Sequence, residues 1–99
     1  MADQITIANT PSVLTSTTGT VLSSAPGRRG LHIQNNGTNP LFVLMGAGAT
    51  NNGVYHVVLK GGTAVGDGNG GTFSMLNGVV YTGVVSASGT APSFTILEL

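Results

Sequence analysis

The chain is punctuated at short intervals. Apolar and β-branched runs of four to seven residues alternate with clusters of Gly, Asn, Ser and Pro, and no run is long or periodic enough for a helix. A chain divided this way buries its apolar residues as strands. About eight of them in 99 residues predict an all-β single domain, a small β-sandwich or jelly-roll-like barrel.

The clearest half-buried strand runs from Gly30 to Gln34, with Leu31 and Ile33 on one face and His32 and Gln34 on the other. Asn35-Asn36-Gly37-Thr38-Asn39-Pro40 then turns the chain. Leu41-Phe42-Val43-Leu44-Met45 is apolar on both faces, as expected of a central strand covered on each side by a second sheet or by another subunit. Val54 to Lys60 alternates and reads as a strand. Between Gly61 and Gly71, six glycines in eleven residues describe a loop that visits positive φ or passes close to another backbone. Asn77-Gly78 suits a type I′ turn, so Thr72–Leu76 and Val79–Thr82 are expected to form a hairpin. Val84–Ala87 and Phe94–Leu97 read as the final pair, joined by Ser88 to Pro92.

The N-terminal region is less regular. Asp3 to Ile7 alternates as a strand, with Ile5 and Ile7 on one face, and short apolar pieces follow at Val13-Leu14 and Thr20-Val21-Leu22. Residues 9–27 are rich in Ser, Thr and Pro, the composition of edge strand and loop or of an arm ordered against a neighbour. The expected organisation is therefore an N-terminal strand and arm over 1–27 and a sandwich core over 28–99, one domain overall.

Charge is scarce. Three Lys+Arg against three Asp+Glu make 6% charged residues and zero net charge, where a soluble domain usually has about a quarter. Gly, Thr, Ser and Asn supply the polar surface instead, with 16, 13, 8 and 8 residues. Such a surface does little to repel its own copies. It also lacks the basic footprint of nucleic-acid binding, so nucleic acid is not an expected partner. Met1-Ala2-Asp3-Gln4 carries no basic n-region, and no stretch approaches a membrane span. No membrane partner is expected. The absence of cysteine fits folding in a reducing compartment.

The residues that carry chemistry are few. Asp3, Asp67 and Glu98 are far apart in sequence, so an acid/base pair would have to be assembled across the fold, and no catalytic residues are assigned. His32 and His56, on the more exposed faces of different strands, could meet in a sheet, but without cysteine or a third ligand they make a poor zinc site. Surface or interface histidines are the expectation. Asp67-Gly68-Asn69-Gly70-Gly71 has one acid and no repeat to hold calcium, and its glycines match no phosphate-binding motif. No metal and no cofactor is expected. Arg28-Arg29 is the one charge cluster, either a solvated pair or a bridge to Glu98 or Asp67 of a neighbouring subunit.

The order of these segments resembles a family. Arg29-Gly30-Leu31-His32-Ile33-Gln34-Asn35-Asn36-Gly37, then Asn39-Pro40-Leu41-Phe42-Val43 leading to Gly46-Ala47-Gly48, Leu59-Lys60-Gly61-Gly62, Asp67-Gly68-Asn69-Gly70-Gly71, Tyr81-Thr82-Gly83-Val84-Val85-Ser86 and Thr95-Ile96-Leu97-Glu98-Leu99 look like the small β-rich virion proteins of tailed bacteriophages. The resemblance covers residues 28–99 and is to the capsid decoration or cement type. It implies a homo-oligomer, often a trimer, made in the host cytoplasm and bound to the major capsid protein on the outside of the assembled head, which it stabilises without catalysis. Arg28, Arg29, Leu41, Phe42, Val43, Leu44, Met45 and Glu98 are the expected protein-interface residues, with residues 9–27 as capsid contacts. A head-fibre, neck or tail component would share fold and composition. A carbohydrate-binding sandwich is the third reading, disfavoured because Tyr55 and Tyr81 are the only tyrosines and there is no Trp.

Overall fold

The structure is a computed structural model that describes residues 13–14, 18–75 and 80–99. Among them are eight strands: β1 Val13–Leu14, β2 Thr18–Leu22, β3 Leu31–Asn35, β4 Leu41–Met45, β5 Val57–Leu59, β6 Thr72–Met75, β7 Val85–Gly89 and β8 Phe94–Glu98. They form two four-stranded sheets, one in the order β1-β8-β3-β6 and the other β2-β7-β4-β5. Every pair of neighbouring strands is antiparallel. Only β4 and β5 are neighbours in both sequence and space. Two sheets wound in this order are a jelly roll.

Alternation explains which face each strand buries. Leu31 and Ile33 of β3, Phe94 and Ile96 of β8, Leu41 and Val43 of β4, and Val85 and Ala87 of β7 point between the sheets, where Leu22 and Leu59 join them. Phe73, Met75 and Met45 close the margins of this core. β2 has a register shift between Thr20 and Leu22. This lets Thr20 pair on the outer face with Ser86 while Leu22 pairs with the inward Val85.

Several sequence expectations change at this level. The hairpin expected over 72–82 is not seen among the described residues: β6 pairs with β3, and residues 80–82 are not a strand. Its Asn77-Gly78 turn lies outside the described residues, as does the strand expected over Asp3–Ile7. β7 and β8 do not pair with each other either, since they lie in opposite sheets. The connection between them is an arch, in which Ala91 takes φ 44 and Pro92 offers no N–H to a ladder. Adjacent strands in a sandwich can bury their apolar faces toward the same core from opposite sheets. Burial, not turn propensity, decides their pairing. The stretch expected as arm contributes β1 and β2, each at the end of its sheet among the described residues.

The strand expected over Val54–Lys60 shortens to Val57–Leu59 because residues 46–56 leave the ladder and fold over the outside of β4 and β7. The Ala49 N–H donates to Ser86 Oγ at 3.0 Å, and the Ser88 hydroxyl bonds Asn51 Oδ1. The Tyr55 ring lies on Phe42, with centroids 5.0 Å apart and planes inclined at 59°. This strap explains the double-sided hydrophobicity of β4: one face meets the core and the other meets the chain's own loop.

The end of the sandwich is closed by a polar side chain. Asn35, 1% exposed, donates from Nδ2 to the carbonyls of Asn39, Leu59 and Lys60 at 2.9, 3.0 and 3.0 Å. Its Oδ1 accepts the Gly37 N–H at 2.9 Å. One amide thus ties together the β3–β4 turn, the end of β5 and the start of the glycine-rich loop. That loop passes so close that a Cβ on Gly70 would overlap the Asn35 carbonyl, and one on Gly61 would overlap the Thr38 carbonyl. Gly66 and Gly68 have φ of 74° and 79°, so the loop both visits positive φ and approaches neighbouring backbone closely.

Candidate functional site

Two of the charged residues singled out in the sequence, Arg28 and Glu98, turn inward. The Arg28 side chain is fully buried, and its Nε lies 2.8 Å from Glu98 Oε2. Nη1 donates to the carbonyls of Tyr81 and Gly83 at 2.8 and 3.0 Å, and Nη2 to that of Ser23 at 2.7 Å. The fork of the guanidinium suits this set, because several fixed acceptors around one planar cation offset its desolvation. The bridge expected between subunits is therefore made within one chain. Arg29 stays on the surface, its backbone N–H bonded to the Leu99 carbonyl at 2.7 Å.

The apolar strand expected at an interface is also largely enclosed. Leu41 and Val43 are core residues, Phe42 is covered by the 46–56 strap, and Met45 packs against the core margin. Leu44, half-buried, shares the outer face with Phe42. These five residues therefore stabilise the sandwich first, and the accessible apolar surface lies one layer further out.

On this side that surface consists of Val54, Tyr55 and Val58, which are 50%, 39% and 49% exposed, while Val65, 69% exposed, belongs to the glycine-rich loop. Val58 is the cross-strand partner of Phe42, and Tyr55 covers the Phe42 ring. Tyr55 and Val58 thus flank one buried aromatic on the outside of the β2-β7-β4-β5 sheet, and Val54 precedes Tyr55 on the strap. Residues 46–56 contain no Asp, Glu, Lys or Arg, so this surface can be covered without desolvating a formal charge. A cluster of exposed apolar side chains on a fixed support marks an interaction site more often than scattered ones do. The sequence reading missed it because Val54 and Tyr55 were placed in a strand rather than on a strap.

The outside of the other sheet is different. His32, Gln34, Thr72, Ser74, Thr95 and Leu97 share it through the β6-β3-β8 register. His32 Nδ1 and Ser74 Oγ are 2.5 Å apart. His56 is attached to the opposite sheet, where its Nδ1 accepts the Met45 N–H at 3.1 Å and its own N–H donates to the Val43 carbonyl at 2.8 Å. The two histidines therefore do not meet. No group of three or more His, Cys, Asp or Glu that could hold a metal ion occurs among the described residues.

No protein-family model, curated protein or solved structure matches the chain. The fold assignment accordingly rests on strand order and register.

Asp67 is the remaining carboxylate of interest. Its Oδ2 accepts from the Thr63 N–H and hydroxyl and from the Ala64 N–H, at 2.9, 2.6 and 3.0 Å. Oδ1 accepts from the Asn69 N–H at 2.9 Å. The Thr63 hydroxyl, then the Asn69 and Ala64 amides, hold this carboxyl well below the usual carboxylate range. A carboxylate already surrounded by donors from its own loop is shaped to order that loop. Among the described residues, moreover, every buried side-chain nitrogen or oxygen has a hydrogen-bond partner.

Proposed function

We propose that the protein is a decoration protein of a tailed-bacteriophage capsid, one that binds the major capsid protein on the outside of the assembled head as a homo-oligomer and stabilises it without catalysis. The observation that carries this reading is the exposed apolar surface of Val54 and Tyr55, on an uncharged strap, and Val58 of β5, with Tyr55 and Val58 flanking Phe42. The small jelly roll agrees with it, since that architecture recurs in viral capsid domains. So does the inward pairing of Arg28 with Glu98, which removes one charge of each sign from a surface that does little to repel other copies. Binding only to the closed shell would oppose its opening by mass action, and many copies would multiply a modest contact.

The test is the abundance of the chain in purified source particles, by quantitative mass spectrometry against the major capsid protein. Hundreds of copies in simple proportion to that protein are expected. A handful would move the protein to the neck, tail or head fibre, and none would end the virion reading. Val58→Glu places a charge in the cluster without touching the core. It is expected to abolish particle binding while leaving the thermal midpoint of the isolated protein nearly unchanged.

A further inference from the structure

We infer that Asn52-Gly53 is a modification site, at which Asn52 deamidates spontaneously through a cyclic imide. The reaction needs only this chain and water. The backbone nitrogen of Gly53, its proton lost to solvent base, attacks Asn52 Cγ. A new N–Cγ bond forms, the Cγ–Nδ2 bond breaks, and Nδ2 departs with the returned proton as ammonia. Water then opens the imide at either carbonyl, giving aspartate or isoaspartate. The net change is one water consumed and one ammonia released, with no oxidation or reduction. Glycine in the second position offers the least steric opposition to ring closure, because it has no Cβ.

Three Asn-Gly pairs lie within the described residues, and their surroundings set them apart. Gly37 is buried and its nitrogen is held by Asn35 Oδ1 at 2.9 Å, which removes the nucleophile of Asn36-Gly37 from reach of base. In Asn69-Gly70 the amide Nδ2 is tied to Asp67 Oδ2 at 3.2 Å, and Gly70 is wedged against the Asn35 carbonyl. The Asp67 carboxylate beside it also opposes the negative charge that develops on the attacked carbonyl. Asn52 and Gly53, by contrast, are both exposed. The Gly53 N–H reaches only the Thr50 carbonyl, at 3.4 Å, near the outer limit of a hydrogen bond. Asn52 sits at φ 55, at the tip of the turn.

The position gives the change a consequence. A carboxylate at residue 52 is the first formal charge in the 46–56 strap and shifts the net charge from zero to minus one. Isoaspartate also lengthens the backbone by one methylene between Asn51, which holds Ser88, and Tyr55, which covers Phe42. The strap then loses the spacing that keeps both attachments.

This inference stands apart from the proposed function and is tested on the purified folded protein. Samples held in neutral and mildly alkaline buffer are mapped by peptide mass spectrometry and labelled with isoaspartyl methyltransferase. The Asn52 peptide is expected to gain about one dalton several-fold faster than the peptides holding Asn36 and Asn69. In urea the three rates are expected to converge, because only the fold distinguishes them. Asn52→Gly, which tolerates the positive φ, is expected to abolish methyltransferase labelling of that peptide. Conversion of Asn36 or Asn69 as fast as Asn52 in the folded protein would overturn the inference, as would an Asn52 that resists while the unfolded chain converts.

Discussion

Replacing Asn35 with alanine removes four side-chain hydrogen bonds at once. Two of them, to the Leu59 carbonyl and from the Gly37 N–H, are fully buried, and water can reach the other two. Leaving a buried polar group unpaired costs about 1–3 kcal/mol, so the two sealed groups alone cost about 2–6 kcal/mol. A domain of this size has a total stability of about 5–15 kcal/mol. At about 4–8 °C per kcal/mol, even a loss of about 3 kcal/mol lowers the midpoint by roughly 12–24 °C. Asn35→Asp adds an electrostatic signature. An ionised carboxylate cannot donate to three carbonyls, and burial raises its folded-state pKa above the unfolded value of about 3.9. A raised folded pKa means that the stabilising contribution is complete below the unfolded pKa and is lost as pH rises through the folded one. Asn35→Asp is therefore expected to gain stability relative to Asn35→Ala as pH falls toward 4. Urea unfolding followed by circular dichroism measures both variants across pH. A loss under about 0.5 kcal/mol for Asn35→Ala, within the range of ordinary surface substitutions, would falsify the reading of Asn35 as the closure of the sandwich.

The remaining predictions use the same chemistry elsewhere. Arg28→Ala strands Glu98 and three carbonyls and is expected to cost about 3–5 kcal/mol by denaturant unfolding; Arg28→Lys, lacking the planar fork, should recover only part of this. Gly70→Ala forces a Cβ onto the Asn35 carbonyl and should destabilise by about 1–3 kcal/mol, whereas Gly27→Ala, which meets nothing within 4 Å, should be neutral or slightly stabilising in the same melts. For Asp67, a lowered folded pKa means that its ordering of the loop is complete above the unfolded value of about 3.9 and is lost as pH falls through the folded one. Carbon NMR should find this carboxyl still ionised after ordinary carboxylates have protonated, and Asp67→Asn should disorder residues 63–69 at neutral pH.

How much was legible in the sequence follows from which forces are local. The alternation of Leu31, His32, Ile33 and Gln34 already states the two faces of β3, because a period of two needs no knowledge of neighbours. The all-β class and the close-packed glycine loop follow from composition and spacing in the same way. Strand order does not. Phe73 and Val85 can turn to one core from different sheets, so residues 72–82 read as a hairpin in sequence although β6 and the next described strand, β7, lie in opposite sheets. Asn35 looked like the first residue of a turn, because nothing in the sequence says that Leu59 and Lys60 will bring their carbonyls to its amide. The Arg28–Glu98 pairing was anticipated by charge alone, but the subunit that supplies each partner is a property of the fold. Tyr55 could have been found only by asking what covers the second face of Phe42.

The strand order also governs how the chain must be made. β8 lies between β1 and β3, and β7 lies between β2 and β4. Neither sheet has its middle until residues 85–98 exist, and the only strand pair available earlier between sequence neighbours is β4–β5. At a synthesis rate of about 5–20 residues per second, β1 therefore waits on the order of 4–17 s for its partner. Through that interval Leu31, Ile33, Leu41 and Val43 have no completed core. Folding then waits on β7 and β8 and is slow for the chain's length, as expected where nearly every pairing is distant in sequence. A ribosome stalled shortly before β7 would hold a chain with most of its apolar residues and no way to bury them, a natural client for a chaperone.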